Sequence, residues 1–96
     1  MKEIYFGDFR VYVVEHIKAI EAQAPEYQSI EWFLLRYLRK IAKNSSPPAT
    51  PYKVEGCIRG LIRFYVDMID EDSELGDRCK KIHAEYKKTL RFSQEN

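Results

Sequence analysis

Helix-breaking residues interrupt this 96-residue chain at three places, and that division constrains its fold more than any single motif does. Pro25 is the first break, the run SSPPATP from Ser45 to Pro51 the second, and DEDSELGD from Asp70 to Asp77 the third. Gly7-Asp8 precedes the first periodic segment. Each of the four stretches left over is long enough for several helical turns.

In the first stretch Phe9, Val13, Ile17, Ile20 and Ala24 step by four, four, three and four, which puts them on one face of a helix with Asp8 as its N-cap. The β-branched run Val11 to Val14 is the weak point, and a short strand around Tyr12 is the competing reading. The second helix is expected from Pro25, a residue suited to a first turn, with Tyr27, Ile30, Leu34, Tyr37, Leu38 and Ile41 along its apolar side. Lys40 and Lys43 close it where cations complement the helix dipole, and Asn44 follows. Thr50-Pro51 supplies an N-cap residue and a proline at N1 for the third helix. Leu75, Cys79, Ile82, Tyr86 and Leu90 give the fourth a narrower stripe, with Ser73 or Asp77 as caps.

Short connections between long helices favour antiparallel neighbours, so the chain is expected to form an all-α, antiparallel up-and-down four-helix bundle. The expected helices are 8–24, 25–43, 51–70 and 74–92, all within a single domain. A chain of this length buries roughly two-thirds of the surface its unfolded form exposes, enough for one core without disulfides or a structural metal. Apolar residues are 45% and charged residues 32%, an ordinary balance for an ordered domain. The N-terminal MKEIYFGDFR lacks an apolar run of signal-peptide length, and no segment approaches a membrane span of ~20 apolar residues, so a cytoplasmic location is expected. Cys57 and Cys79 fit neither a CxxC nor a metal-ligand spacing and read as two reduced core thiols.

The third helix carries Gly56 and Gly60 one turn apart, where helices usually avoid glycine. Rotation by about 100° per residue gathers Val54, Cys57, Ile58, Leu61, Ile62, Phe64, Tyr65, Met68 and Ile69 on one broad arc, which makes this the most buried helix by expectation. Gly56 and Gly60 fall on the remaining face with Arg59, Arg63 and Asp67. Each glycine is either a tolerated flaw costing ~1 kcal/mol relative to alanine or part of a bare backbone strip that a partner approaches closely.

In the second helix the same rotation groups Trp32 with Ser29, Arg36, Arg39 and Lys43, opposite the apolar arc. A large aromatic on a polar face has two explanations. It packs under the N-terminal Ile4, Tyr5 and Phe6 with Arg36 over the indole, or it is a contact residue, because Trp and Arg are enriched at interface hot spots.

Catalytic chemistry is missing from the motifs. His16 and His83 sit at or near the apolar arcs of their helices, outside any HExxH or Glu-x-x-His pattern. Cys79 and His83 are one turn apart, but Cys79 belongs to the apolar stripe, where a thiol is normally inert. Asp70, Asp72 and Glu74 alternate as in a calcium loop, yet the glycine arrives one place late and Lys81 stands where glutamate is required. No cofactor is implied, and the chain reads as a non-enzyme.

The sequence therefore leads to a small protein that acts by binding another protein, as adaptor, regulator or inhibitor. Its expected contact residues are Trp32, Arg36, Arg39, Lys43, Gly56, Arg59, Gly60 and Arg63, and the expected partner offers an acidic surface or a helix. A nucleic-acid-binding module using the same stripe is the alternative, with bases stacking on aromatics and cations following the phosphates. Net charge of only +1 and the absence of a zinc-finger or RNP signature weigh against it. A homodimer closed through the glycine face is a third possibility.

Overall fold

The computed structural model describes the backbone of residues 4–47 and 49–94 and the side chains among these as far as Arg91. Pro48 of the second break and residues 1–3 of the N-terminal segment lie outside the described residues. Four helices follow one another: α1 (Gly7–Glu21), α2 (Ile30–Asn44), α3 (Pro51–Met68) and α4 (Glu74–Gln94), with no strand among the described residues. α1 packs on α2, α2 on α3, α3 on α4, and α4 returns to α1, which closes the antiparallel up-and-down bundle. The molecule measures 42 × 23 × 18 Å.

The ends of the helices show which local signals prevailed. α1 runs without interruption through Val11 to Val14, so the strand around Tyr12 does not form. Asp8 is not the N-cap: Phe6 holds that position without a side-chain hydrogen bond, and Asp8 lies in the first turn, where its charge complements the dipole. The helix stops at Glu21, three residues before Ala24, whose φ of 49° is left-handed. A residue before proline is already biased away from the right-handed helical region, so Pro25 ends α1 rather than opening α2.

α2 starts at Ile30, five residues later than its proline suggests. Ser29 adopts an extended backbone and its Oγ accepts a hydrogen bond from the Trp32 N–H at 3.2 Å, a cap that Pro25 has no means to supply. Gln28, with φ 64°, turns the chain into that cap. Tyr27 consequently lies outside the helix and is 74% exposed instead of joining the apolar side. At the other end, Asn44 Nδ2, Ser45 Oγ and Ser46 Oγ donate to the carbonyls of Lys40, Ile41 and Ala42, satisfying the last turn from its own side chains.

α3 opens at Thr50 and Pro51 as the sequence suggests, although the Thr50 hydroxyl accepts no cap hydrogen bond. It ends at Met68, after which Ile69 turns extended and returns its side chain to the core. Ser73 caps α4, its Oγ accepting from the Gly76 N–H at 3.1 Å. Gly76 is itself buried, and a Cβ there would collide with the backbone carbonyl of Asp70 and the backbone of Glu71. The glycine that came one place late for a calcium loop is thus the residue that lets this loop fold back on the start of α4.

The core joins Phe6, Phe9, Val13, Ile17 and Ile20 to Leu34, Leu35, Leu38, Ile41 and Ala42, with Val54, Ile58 and Leu61 from α3 and Cys79, Ile82 and Tyr86 from α4. Phe9 ties α1 to α4 through the Tyr86 ring at 5.8 Å. The expectation that α3 is the most buried helix fails. It buries three side chains where α2 buries five, and Met68, assigned to its apolar arc, is 55% exposed. In a ring of four, α3 packs mainly on α2 and α4, so an apolar arc as wide as its own outruns the neighbours available to cover it. Both cysteines are free, Cys79 in the core and Cys57 half-buried beside it.

Candidate functional site

Trp32 does not pack under the N-terminus. Antiparallel α1 and α2 place Phe6 and Trp32 at opposite ends of the bundle, and Phe6 is buried against Phe9. A partly exposed ion pair of 2.8 Å between Glu21 and Arg39 links the end of α1 to α2. Arg39 lies two turns beyond Trp32 on α2. The indole is instead enclosed by its own surroundings: Tyr27 and Phe33 meet it edge-on, with ring centroids at 4.9 and 5.0 Å, and the Arg36 guanidinium lies 5.2 Å over its ring. The expected stacking of Arg36 is therefore present, in a cluster that is half-buried rather than sealed.

Beside this cluster, Phe33, Arg36, Tyr37 and Lys40 line an open groove of about 550 Å³ along α2. Their spacing of three, one and three places them on one stripe of the helix surface. Tyr37 stacks on Phe64 of α3, centroids 4.8 Å apart and planes inclined by 24°. Gly60 lies beneath the Tyr37 ring, where a Cβ would come to 3.6 Å from it. One of the two unexplained glycines thus borders the aromatic seam between α2 and α3. The other, Gly56, has nothing within 4 Å of a would-be Cβ and is an open helical position.

The expected contact residues do not form one surface. Trp32 and Arg36 are joined, and Gly60 meets the same seam through Tyr37. Arg39 turns towards α1 and Glu21. Arg59 pairs with Glu55 at 3.0 Å, and both act on the charge of Tyr86, which places them on the α4 side of α3. Lys43 and Arg63 are exposed, and neither makes an ion pair among the described residues. The sequence reading overlooked Phe33, Tyr37, Lys40 and Phe64, having placed Tyr37 and Phe64 in the core and Lys40 at a helix end. The signal was available in the one-stripe spacing of residues 33, 36, 37 and 40, two aromatics alternating with two cations.

The titratable groups elsewhere are held by packing. Arg78 Nη1 lies 3.1 Å from His16 Nδ1, and because a guanidinium only donates, Nδ1 is the unprotonated nitrogen of that imidazole. Burial, then the Arg78 and Lys81 charges, push the His16 pKa below its ordinary 6.5. Arg78 also pairs with Glu74 at 3.1 Å, while its Nε is buried without a partner. Burial and the Lys87 charge lower His83 as well. Burial raises the Cys79 thiol to about 11, far from a reactive thiolate at neutral pH. Among the described residues no group of three or more His, Cys, Asp or Glu is placed to hold a metal ion, and no helix is long and apolar enough to cross a membrane.

Searches of protein-family models, curated proteins and solved structures gave no match to this chain.

Proposed function

We propose that this chain is a non-enzymatic binding protein, an adaptor, regulator or inhibitor, that engages a protein partner of acidic surface through α2. One observation carries the reading. Arg36 and Lys40 border an aromatic groove on the outer side of α2, and neither has a carboxylate partner among the described residues, although Arg39, Arg59, Arg78 and Lys81 all do. Aromatic side chains and arginine are the residue types in which binding energy concentrates at protein interfaces, and a cation left without an internal counter-charge favours an acidic partner.

The alternative, single-stranded nucleic acid, draws less support from the same residues. Base stacking needs open ring faces. Here the Tyr37 ring is stacked on Phe64 and the Trp32 ring carries Arg36. A homodimer through the glycine face also loses its motive, since Gly60 already borders Tyr37 and only Gly56 is bare.

The test is capture of a partner by the wild type and by a Trp32→Ala/Arg36→Ala variant, with cross-links from the captured complex mapped onto the chain. The expected result is an unchanged circular dichroism spectrum, loss of capture in the variant, and wild-type cross-links concentrated on Lys40 and Lys43. Undiminished capture by the variant would remove α2 from the account.

A further inference from the structure

Resting on the assignment of α2 as the binding surface, we infer that the occupant of its groove is an acidic amphipathic helix of the partner, laid along the seam between α2 and α3. The groove is open, and the described residues lining it all come from α2, a site suited to a partner laid against the helix rather than to an enclosed small molecule. Its residues form one stripe of a helix surface, the kind of ridge against which a second helix packs. No strand exists among the described residues whose edge an extended peptide would join.

The chemistry of the occupant follows from the two kinds of lining. Phe33 and Tyr37, supported by Phe64, offer hydrocarbon and ring surface that suits large aliphatic side chains one turn apart. Arg36 and Lys40 are also one turn apart, about 6 Å along the axis. A helix carrying carboxylates at i and i+4 beside its apolar stripe meets both cations in a single register. Basic or neutral amphipathic helices leave both cations facing apolar surface without a counter-charge.

A displayed library of Trp-free, helix-forming 18-residue peptides is selected on the wild-type protein, and selected peptides are then measured by the emission of Trp32, the chain's single tryptophan. The inference expects enriched sequences with an apolar i, i+4 pair flanked by an acidic i, i+4 pair. Their affinity should fall at least tenfold in Arg36→Glu/Lys40→Glu and fall again with rising salt. Binders that depend on Arg36 and Lys40 but are proline-rich, or helical without the acidic pair, would overturn the helix while leaving the α2 reading in place. Binders indifferent to that variant would overturn both. Tight, salt-steep binding of a 20-nucleotide single-stranded oligonucleotide that is lost in the same variant would replace both with the nucleic-acid alternative.

Discussion

Acidification should loosen the contact between α1 and α4 through one imidazole. In the neutral state His16 Nδ1 accepts from Arg78 at 3.1 Å, while Tyr12 packs edge-on against the same ring at 4.9 Å. Protonation removes the acceptor and sets two cations against each other, with Lys81 near by and Glu15 and Asp77 compensating in part. A hydrogen bond to a charged group contributes about 1.5–3 kcal/mol. His16 is only half-buried, so solvent screening reduces the expected loss to about 1 kcal/mol.

The sign follows from the direction of the shift. The folded pKa lies below the unfolded 6.5, so the unfolded chain binds the proton first. The stabilisation is complete above pH 6.5 and is lost as pH falls through that value towards the folded pKa. Urea unfolding followed by circular dichroism at pH 7.5 and pH 5.0 measures it. With a slope of about 1–1.5 kcal/mol/M, the midpoint should fall by roughly 0.7–1 M. His83, also lowered by burial, adds a loss in the same direction, so the decisive quantity is the difference from His16→Gln. That variant keeps an acceptor for Arg78 but does not titrate, and its loss between the two pH values should be smaller than that of the wild type. Equal losses in the two proteins would refute the role assigned to the His16–Arg78 contact.

Gly56→Ala should stabilise the protein by up to about 1 kcal/mol, raising Tm by roughly 4–8 °C, because the added Cβ meets nothing and the helix gains alanine's propensity. A lowered Tm would mean that the position is covered in solution. Gly76→Ala should cost about 2 kcal/mol or more, since the backbone of Asp70 and Glu71 has to move; an unchanged denaturation midpoint would contradict the tight turn before α4. Emission from Trp32 should be moderately quenched by acrylamide in the wild type and more strongly quenched in Arg36→Ala, because the guanidinium covers the indole. Identical quenching would show that the stack does not persist in solution.

Much of the fold was legible because some local signals act alone. Pro51 at the first turn of α3 and Ser73, one of the two caps considered for α4, mark helix starts by chemistry that needs no neighbour, and the four-residue steps of Phe9, Val13 and Ile17 survive into the core unchanged. The beginning of α2 was not legible because two signals competed. Pro25 suits a first turn, but Ser29 offers a real acceptor to Trp32 N–H, and a hydrogen bond prevails over a permissive φ. Periodicity ranks residues around one helix and is silent about how far the neighbours reach, which is why Met68 looked internal and is not. The position of Trp32 relative to Phe6 was different. Antiparallel α1 and α2 already imply opposite ends, so that error was avoidable from the sequence. Of the surface, the pairing of Trp32 with Arg36 was readable as a one-turn step. The stripe of residues 33, 36, 37 and 40 was readable from spacing, but the stacking of Tyr37 on Phe64 beside it was not, because it depends on how α3 packs against α2.

The rotation of α2 about its own axis separates two kinds of evolutionary constraint. Leu34, Leu38 and Ile41 face inward and are fully buried, so changes there are filtered by foldability. Arg36, Lys40 and Lys43 are exposed and pair with no carboxylate among the described residues, and Arg36 leans on Trp32 of the same helix, so their replacement alters the outer surface of α2 while leaving the buried core untouched. On the binding reading proposed above, descendants of this sequence can drift from one partner to another by small steps, each still folded. Tyr37 stands at the boundary between the two arcs, tied to Phe64 yet lining the groove, and on that reading it is the position at which a change of partner and a loss of structure become the same event.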